Sequence, residues 1–205
     1  MHLWNEEGDF DHMFRIVGVR TLVDKVRLFI LYQLAQYASL IQGDVAELGV
    51  YKGGSAKLIS LVFNRKALEK RVFLFDTFSG MPQTDPDKDL HSQGDFGDTS
   101  MEDVQMFLKD CNNITLLKGH FAKTFDAVAD YRFCYVHVDC DIYGSVTECC
   151  RFFYPRLSPG GVMIFDDYGF ISCPGAKLAV DEFFSDKREP LVYLPTGQCL
   201  MFKHP

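Results

Sequence analysis

The chain has 205 residues, 47% hydrophobic and 24% charged, which suits one soluble domain with a substantial core. Its net charge of −7 argues against a nucleic-acid surface, which needs a basic patch. No apolar run approaches the ~20 residues that cross a bilayer, and the acidic start MHLWNEEGDFDH lacks the pattern of an export signal.

After a polar start, Leu22, Val26, Phe29, Ile30, Leu34, Tyr37 and Ile41 recur at helical spacing, predicting an amphipathic helix that ends near Gly43. Its apolar surface would serve a homodimer contact or the chain's own sheet. DVAELGV then reads as a buried strand, SAKLISLVF as a helix and RVFLFD, ending at Asp76, as the second strand. The polar segment Gln83 to Thr99 has little regular character and is long for a connection, which favours a lid.

Ser100 and Asp103 predict a capped helix carrying Val104, Phe107 and Leu108. NITLLKG is the third strand, followed by a short helix near Lys123 to Ala129. FCYVHVD is the fourth strand, and Ser145 with Glu148 reads as a capping box opening a helix that Pro155 ends. GGVMIFDD is the fifth strand, GAKLAVDEFF a helix, and PLVYLPTGQCLMFK a hairpin turning at Thr196-Gly197. The alternation predicts an α/β fold, a mostly parallel sheet with helices on both faces and a C-terminal hairpin at one edge. No linker or repeat divides residues 1–205: a helical segment (1–42) leads into one α/β core (43–205).

Seven cysteines form no CxxC pair and no zinc-like spacing, and Cys140, Cys149 and Cys150 fall inside predicted elements. Reduced thiols in a cytoplasmic protein are expected.

Ligands of open α/β sheets bind outside the carboxyl ends of the strands, and three features of this sequence fall there. In ELGVYKGGS, Gly49, Gly53 and Gly54 would admit a ligand close to the backbone, and a helix start at Ser55 offers free N–H groups. Asp76 closes the second strand, where a carboxylate can accept from both hydroxyls of a ribose. Together the pair implies an adenosine-containing ligand. The glycines spell neither GxGxxG nor a P-loop.

The third feature is acidic. Strand four runs into Asp139 and Asp141, and strand five into Asp166 and Asp167. If these strands are neighbours, Asp139, Asp166 and Asp167 share one rim and require protonation or a cation. An all-oxygen set suits Mg²⁺, Mn²⁺ or Ca²⁺. His137, on the strand itself, reads as packed rather than ligating.

GDVAELGVYKGGSA, FLFDTFSGMP, LLKGHF, HVDCDIYGSV, FYPRLSPGGVMIFDDYG and GAKLAVDEFF, in this order, resemble the macrocin O-methyltransferase family of S-adenosylmethionine-dependent enzymes. The resemblance runs from Gly43 to about Phe184. It implies the class I methyltransferase fold, a seven-stranded Rossmann-like sheet with an antiparallel C-terminal edge strand. It further implies an enzyme needing S-adenosylmethionine and a divalent cation such as Mg²⁺, acting on a hydroxyl of a small-molecule acceptor (a sugar, a phenol or another natural-product-like molecule), with no nucleic-acid or membrane partner.

Carried over by position, Glu47, Gly49, Val50, Tyr51, Gly53 and Ser55 would line the methionine end of the cofactor, with Gly54 and Asp139 in the same pocket. Asp76 would hold the ribose, with Thr77 and Phe78 nearby, and Gly119 and His120 would lie near the adenine. Asp139, Asp166 and Asp167 would be metal ligands and Asp141 the general base. The N-terminal extension is short for the family, which leaves the Gln83 to Thr99 loop as the expected acceptor cover.

Two rival readings follow from the same residues. A strand ending in DxD also resembles magnesium-dependent haloacid-dehalogenase-like phosphatases, although there it comes early in the domain. A binding module that keeps the cofactor pocket without the chemistry is the other.

Overall fold

Apolar runs separated by amphipathic stretches leave a chain one economical arrangement, a sheet buried on both faces. The computed structural model describes residues 3–5, 7–65 and 69–204. Met1, His2 and Glu6 of the acidic N-terminal stretch lie outside the described residues. In chain order the elements are α1 (Asp9–Val17), α2 (Lys25–Ala38), β1 (Asp44–Leu48), α3 (Gly54–Arg65), β2 (Val72–Asp76), α4 (Met101–Phe107) and β3 (Ile114–Lys118). There follow α5 (Phe121–Thr124), β4 (Phe133–Val138), α6 (Tyr143–Phe153), β5 (Leu157–Phe165), α7 (Pro174–Phe184), β6 (Leu191–Tyr193) and β7 (Cys199–Phe202). Single 3-10 turns precede α1 and follow α5 and α6.

The sheet has the order β3-β2-β1-β4-β5-β7-β6, as an α/β reading requires. The first five strands are parallel, and β7 runs antiparallel between β5 and the outermost strand, β6. Side chains alternate between the two faces. Val45, Tyr135 and Ile164 join the core under α1, α2 and α3, while Ala46, Val136 and Met163 join the core under α6 and α7.

Register decides what meets at the carboxyl rim. Leu48 pairs with Phe75 on one side and Val138 on the other, and Val138 pairs with Phe165. The residues that follow, Gly49, Asp76, Asp139 and Asp166, therefore stand in one row across the switch point between β1 and β4.

Several local expectations are corrected. The polar start contains α1, whose Phe10, Met13 and Val17 are buried at helical spacing. The following helix spans Lys25–Ala38, with Asp24 as its N-cap, accepting from the N–H groups of Val26 and Arg27. Its buried line is Leu28, Leu31, Ala35 and Ala38, whereas Leu22 and Tyr37 of the expected stripe are exposed. This helix is apolar on several sides because α1, α3 and the sheet all pack on it, so periodicity alone could not orient it.

Ser100 does cap α4, accepting from the N–H of Asp103. Ser145 does not cap α6, which starts two residues earlier, at Tyr143. The N–H of Tyr143 is instead taken by Asp89 Oδ1 at 2.8 Å, from the long loop. Cys140 lies in the turn after β4 rather than in a regular element. The seven cysteines are free, and no disulfide joins the described residues. Among the described residues no helix is long and apolar enough to cross a membrane.

Candidate active site

The rim opens into a cavity of about 580 Å³. Its walls include Gly49, Val50, Tyr51 and Ser55 from the first turn, Asp76 and Thr77 after β2, and His120 after β3. Asp139, Asp141 and Asp167 line it from β4 and β5, and Arg27 reaches it from α2. Glu47, Gly53, Gly54, Phe78, Gly119 and Asp166 are not in that lining.

The glycines also serve the packing of the fold, and of the three, Gly49 lines the cavity. A Cβ on Gly49 would fall 1.7 Å from the carbonyl oxygen of Asp139, so the bare backbone lets β1 and β4 converge at the rim. A Cβ on Gly54 would meet the backbone of Arg20 at 2.8 Å, which packs the α3 start against the N-terminal segment. Gly53 faces Val104 of α4. Tyr51 and Asp141, with φ of 50° and 56°, hold left-handed conformations on the cavity wall, a placement typical of functional sites.

Asp76 accepts from the N–H groups of Val50 and Tyr51 at 2.7 and 2.9 Å through Oδ2, and from Phe78 through Oδ1 at 2.6 Å. It thereby locks the first turn to the end of β2 while facing the cavity.

Alternation places Glu47, His137 and Asp166 on the α2 side of the sheet, two residues beyond Val45, Tyr135 and Ile164. All three are fully buried. His137 Nδ1 lies 2.9 Å from Glu47 Oε1, and its Nε2 3.4 Å from Asp166 Oδ1. Gln198 donates to Asp166 Oδ1 at 2.8 Å, and Arg27 Nη1 forms an ion pair with Asp166 Oδ2. Arg27 is steered there by Asp24, 2.9 Å from its Nε, and by the ring of Phe170. Neither Arg27 nor Gln198 was expected from the sequence. His137 is packed, as anticipated, but within a charged network rather than a plain core.

Charge sorts the carboxylates. Burial opposes ionisation of Asp166, yet His137, Arg27 and Gln198 overcome it and hold its carboxyl below the usual range. Burial likewise disfavours the His137 imidazolium, but Asp166 and Glu47 raise its pKa well above the ordinary value. Asp166, His137 and Arg27 thus form a buried charged network, which Glu47 joins through His137 Nδ1.

The carboxyls outside it lack such partners. Burial, then repulsion from Asp166, raises Asp139 well above the carboxylate range. Burial and the charges of Asp141 and Asp139 do the same to Asp167, whose Oδ2 accepts from the N–H of Asp141 at 3.0 Å. Burial also raises Asp141, against the pull of His91. This surplus of cavity carboxyl groups, all oxygen donors, fits a hard divalent ion. Within the same corner, Asp139 and Asp166 offer oxygens within 4.8 Å of each other and of His137.

The loop Gln83 to Thr99 roofs the cavity with His91, Asp95 and Phe96. It is fastened by Asp98, which takes Tyr51 Oη at 3.0 Å and Lys52 Nζ at 2.5 Å. Phe96 packs edge-on to Tyr51, and Asp89 holds the start of α6.

A sheet of this order with a cavity at its switch point is the fold of class I O-methyltransferases. The O-methyltransferase NovP superposes with a TM-score of 0.84 at 22% identity, over 96% of this chain and 98% of that one. An O-methyltransferase from Bacillus cereus in complex with SAH gives a TM-score of 0.63 at 12% identity, over 98% and 93%.

The profile of the family Macrocin-O-methyltransferase (TylF) matches residues 17–193, and the chain belongs to this family. It is 31% identical over 164 residues to mycinamicin III 3''-O-methyltransferase of Micromonospora griseorubida, covering 70% of this chain and 61% of the relative. It is 30% identical over 148 residues to 8-demethyl-8-(2,3-dimethoxy-alpha-L-rhamnosyl)-tetracenomycin-C 4'-O-methyltransferase of Streptomyces olivaceus, covering 66% and 57%. The chain thus spans less than two thirds of the length of these curated relatives. Family membership removes the phosphatase reading of the DxD strand.

Proposed function

We propose that the chain is an S-adenosylmethionine-dependent O-methyltransferase acting on a sugar hydroxyl of a glycosylated small molecule, with a divalent cation at the acidic rim. One observation carries the reading. The register of β1, β2, β4 and β5 brings the first turn, Asp76, Asp139, Asp141 and Asp167 around one cavity large enough for a nucleotide-sized cofactor beside an acceptor. The acceptor class is supported by a relative named for a rhamnosyl-bearing substrate.

When bound, S-adenosylmethionine supplies a methyl group on a sulfonium sulfur, and a divalent ion lowers the pKa of a nearby hydroxyl. Gly49, Val50, Tyr51 and Ser55 form the wall for the methionine end. Asp76 faces the ribose with Thr77 beside it, and His120 borders the adenine. Asp139, Asp166 and Asp167 would hold the cation, Asp139 and Asp166 offering oxygens within 4.8 Å of each other and Asp166 also pairing with Arg27. Glu47 lies beneath the cavity floor and acts by holding His137 in place.

Asp141 is the base. Its half-buried carboxyl has a raised proton affinity, which suits a group that must take a proton near neutral pH. Its backbone is pinned by Asp167, so the side chain keeps a fixed direction into the cavity. The loop Gln83 to Thr99 keeps water from the reacting oxygen.

Transfer of labelled methyl groups from S-adenosylmethionine to a panel of glycosylated acceptors tests the proposal. Activity should appear with magnesium, and Asp141→Asn should lower turnover by about 10²–10⁴-fold while cofactor affinity holds. Cofactor binding without transfer to any acceptor would favour the non-catalytic module. Unchanged turnover in Asp141→Asn would remove that residue as the base.

A further inference from the structure

Three side chains from distant parts of the chain meet at the mouth of the cavity. His91 comes from the roofing loop, Asp141 from the turn after β4, and Cys173 from the residue before α7. Cys173 Sγ lies 3.5 Å from Asp141 Oδ1 and 3.7 Å from His91 Nε2, and these last two atoms are 3.9 Å apart.

Ligands around a tetrahedral zinc ion, with bonds of about 2.0–2.3 Å, sit roughly 3.3–3.6 Å from one another. The three atoms therefore need to close by only a few tenths of an ångström. The imidazole is already oriented for the task. His91 Nδ1 lies 3.1 Å from Asp95 Oδ2, and that oxygen is itself held by the N–H of Ser92. A proton on Nδ1 directed at Asp95 leaves the Nε2 lone pair facing Cys173 and Asp141, the usual supporting arrangement for a zinc-bound histidine.

We propose that His91, Asp141 and Cys173 form a zinc site, distinct from the all-oxygen set of Asp139, Asp166 and Asp167, whose open fourth position faces the cavity. Sulfur and imidazole donors select zinc over magnesium. On binding, the Cys173 thiol loses its proton to solvent and the thiolate joins the ion. The ion ties the roofing loop to the start of α7 and takes Asp141 Oδ1, the oxygen that accepts from Cys173 Sγ. Zinc thus inhibits methyl transfer. That consequence rests on the function proposed above, whereas the site itself does not.

Cobalt(II), added to the reduced 205-residue protein without cofactor, is the probe. One equivalent should give thiolate-to-cobalt charge-transfer absorption and the intense visible bands of four-coordinate cobalt. Stoichiometric zinc should bleach both, and excess magnesium should not. Cys173→Ser should abolish the charge-transfer band. Asp95→Asn, which keeps all three ligands, should weaken binding by about 10–100-fold. Absence of a charge-transfer band, its survival in Cys173→Ser, or unaltered affinity in Asp95→Asn would overturn the site. The readout uses neither cofactor nor acceptor, so it fails or succeeds independently of the methyl-transfer reading.

Discussion

Arg27 is the side chain on which the buried charge balance rests. It ion-pairs with Asp166, which is fully buried and ionised, and among the described residues no other full cation touches that carboxylate except the shared His137. Truncating one member of a buried pair strands the other, at a cost of about 3–5 kcal/mol, whereas a surface pair contributes at most about 1 kcal/mol. Arg27→Ala should therefore lower the free energy of unfolding in urea by several kcal/mol. A loss of about 1 kcal/mol or less would mean that Asp166 is not held as an anion. The four aspartates were legible in the sequence because two apolar strands run straight into them. Arg27 and Gln198 were not, since only the packing of α2 and of the C-terminal hairpin over the sheet carries them to Asp166.

Among the elements, the loop and α6 are mutually dependent. Asp89 is nearly buried, accepts the N–H of Tyr143 through one oxygen and the N–H of Asp85 through the other, and so closes the loop while capping the helix. Asp89→Ala should cost about 1 kcal/mol, the usual worth of an N-cap, with faster amide exchange at the start of α6 and in the loop. Protection unchanged in both segments would contradict that coupling. The sequence suggested Ser145 because S-x-x-E is a local signature, and local signatures miss a cap supplied from 54 residues away. The strands are legible for the opposite reason. Each is a short apolar run bounded by turn residues, and a strand covered on both faces needs no apolar–polar alternation, as the six buried residues of β4 attest. The α1 helix is hard to see in the sequence because Asp9, Asp11 and His12 mask the spacing of Phe10, Met13 and Val17.

For the whole molecule, Glu189 binds the far edge together. Burial opposes its ionisation, but the Tyr154 hydroxyl at 2.7 Å and Lys203 at 3.1 Å draw its pKa from 4.5 down to about 2. A carboxylate with a depressed folded pKa stabilises above its unfolded value and loses that contribution as the pH falls toward the folded one. Stability should thus decline between about pH 4.5 and 2 through this group, and Glu189→Gln should flatten that part of the profile while costing roughly 1.5–3 kcal/mol at neutral pH. An unaltered acid profile in the variant would exclude Glu189 as a contributor.

The central claim is that the rim cavity between β1, β2 and β4 receives the cofactor. Thermal unfolding with S-adenosylhomocysteine tests it most directly, because a ligand of the folded state alone raises its stability by mass action. At a hundredfold excess over Kd the gain is about 2.7 kcal/mol, which for a chain of this length raises Tm by roughly 5–10 °C. A rise of that size, smaller in Asp76→Ala, is the predicted result; no rise at about millimolar ligand would contradict the account.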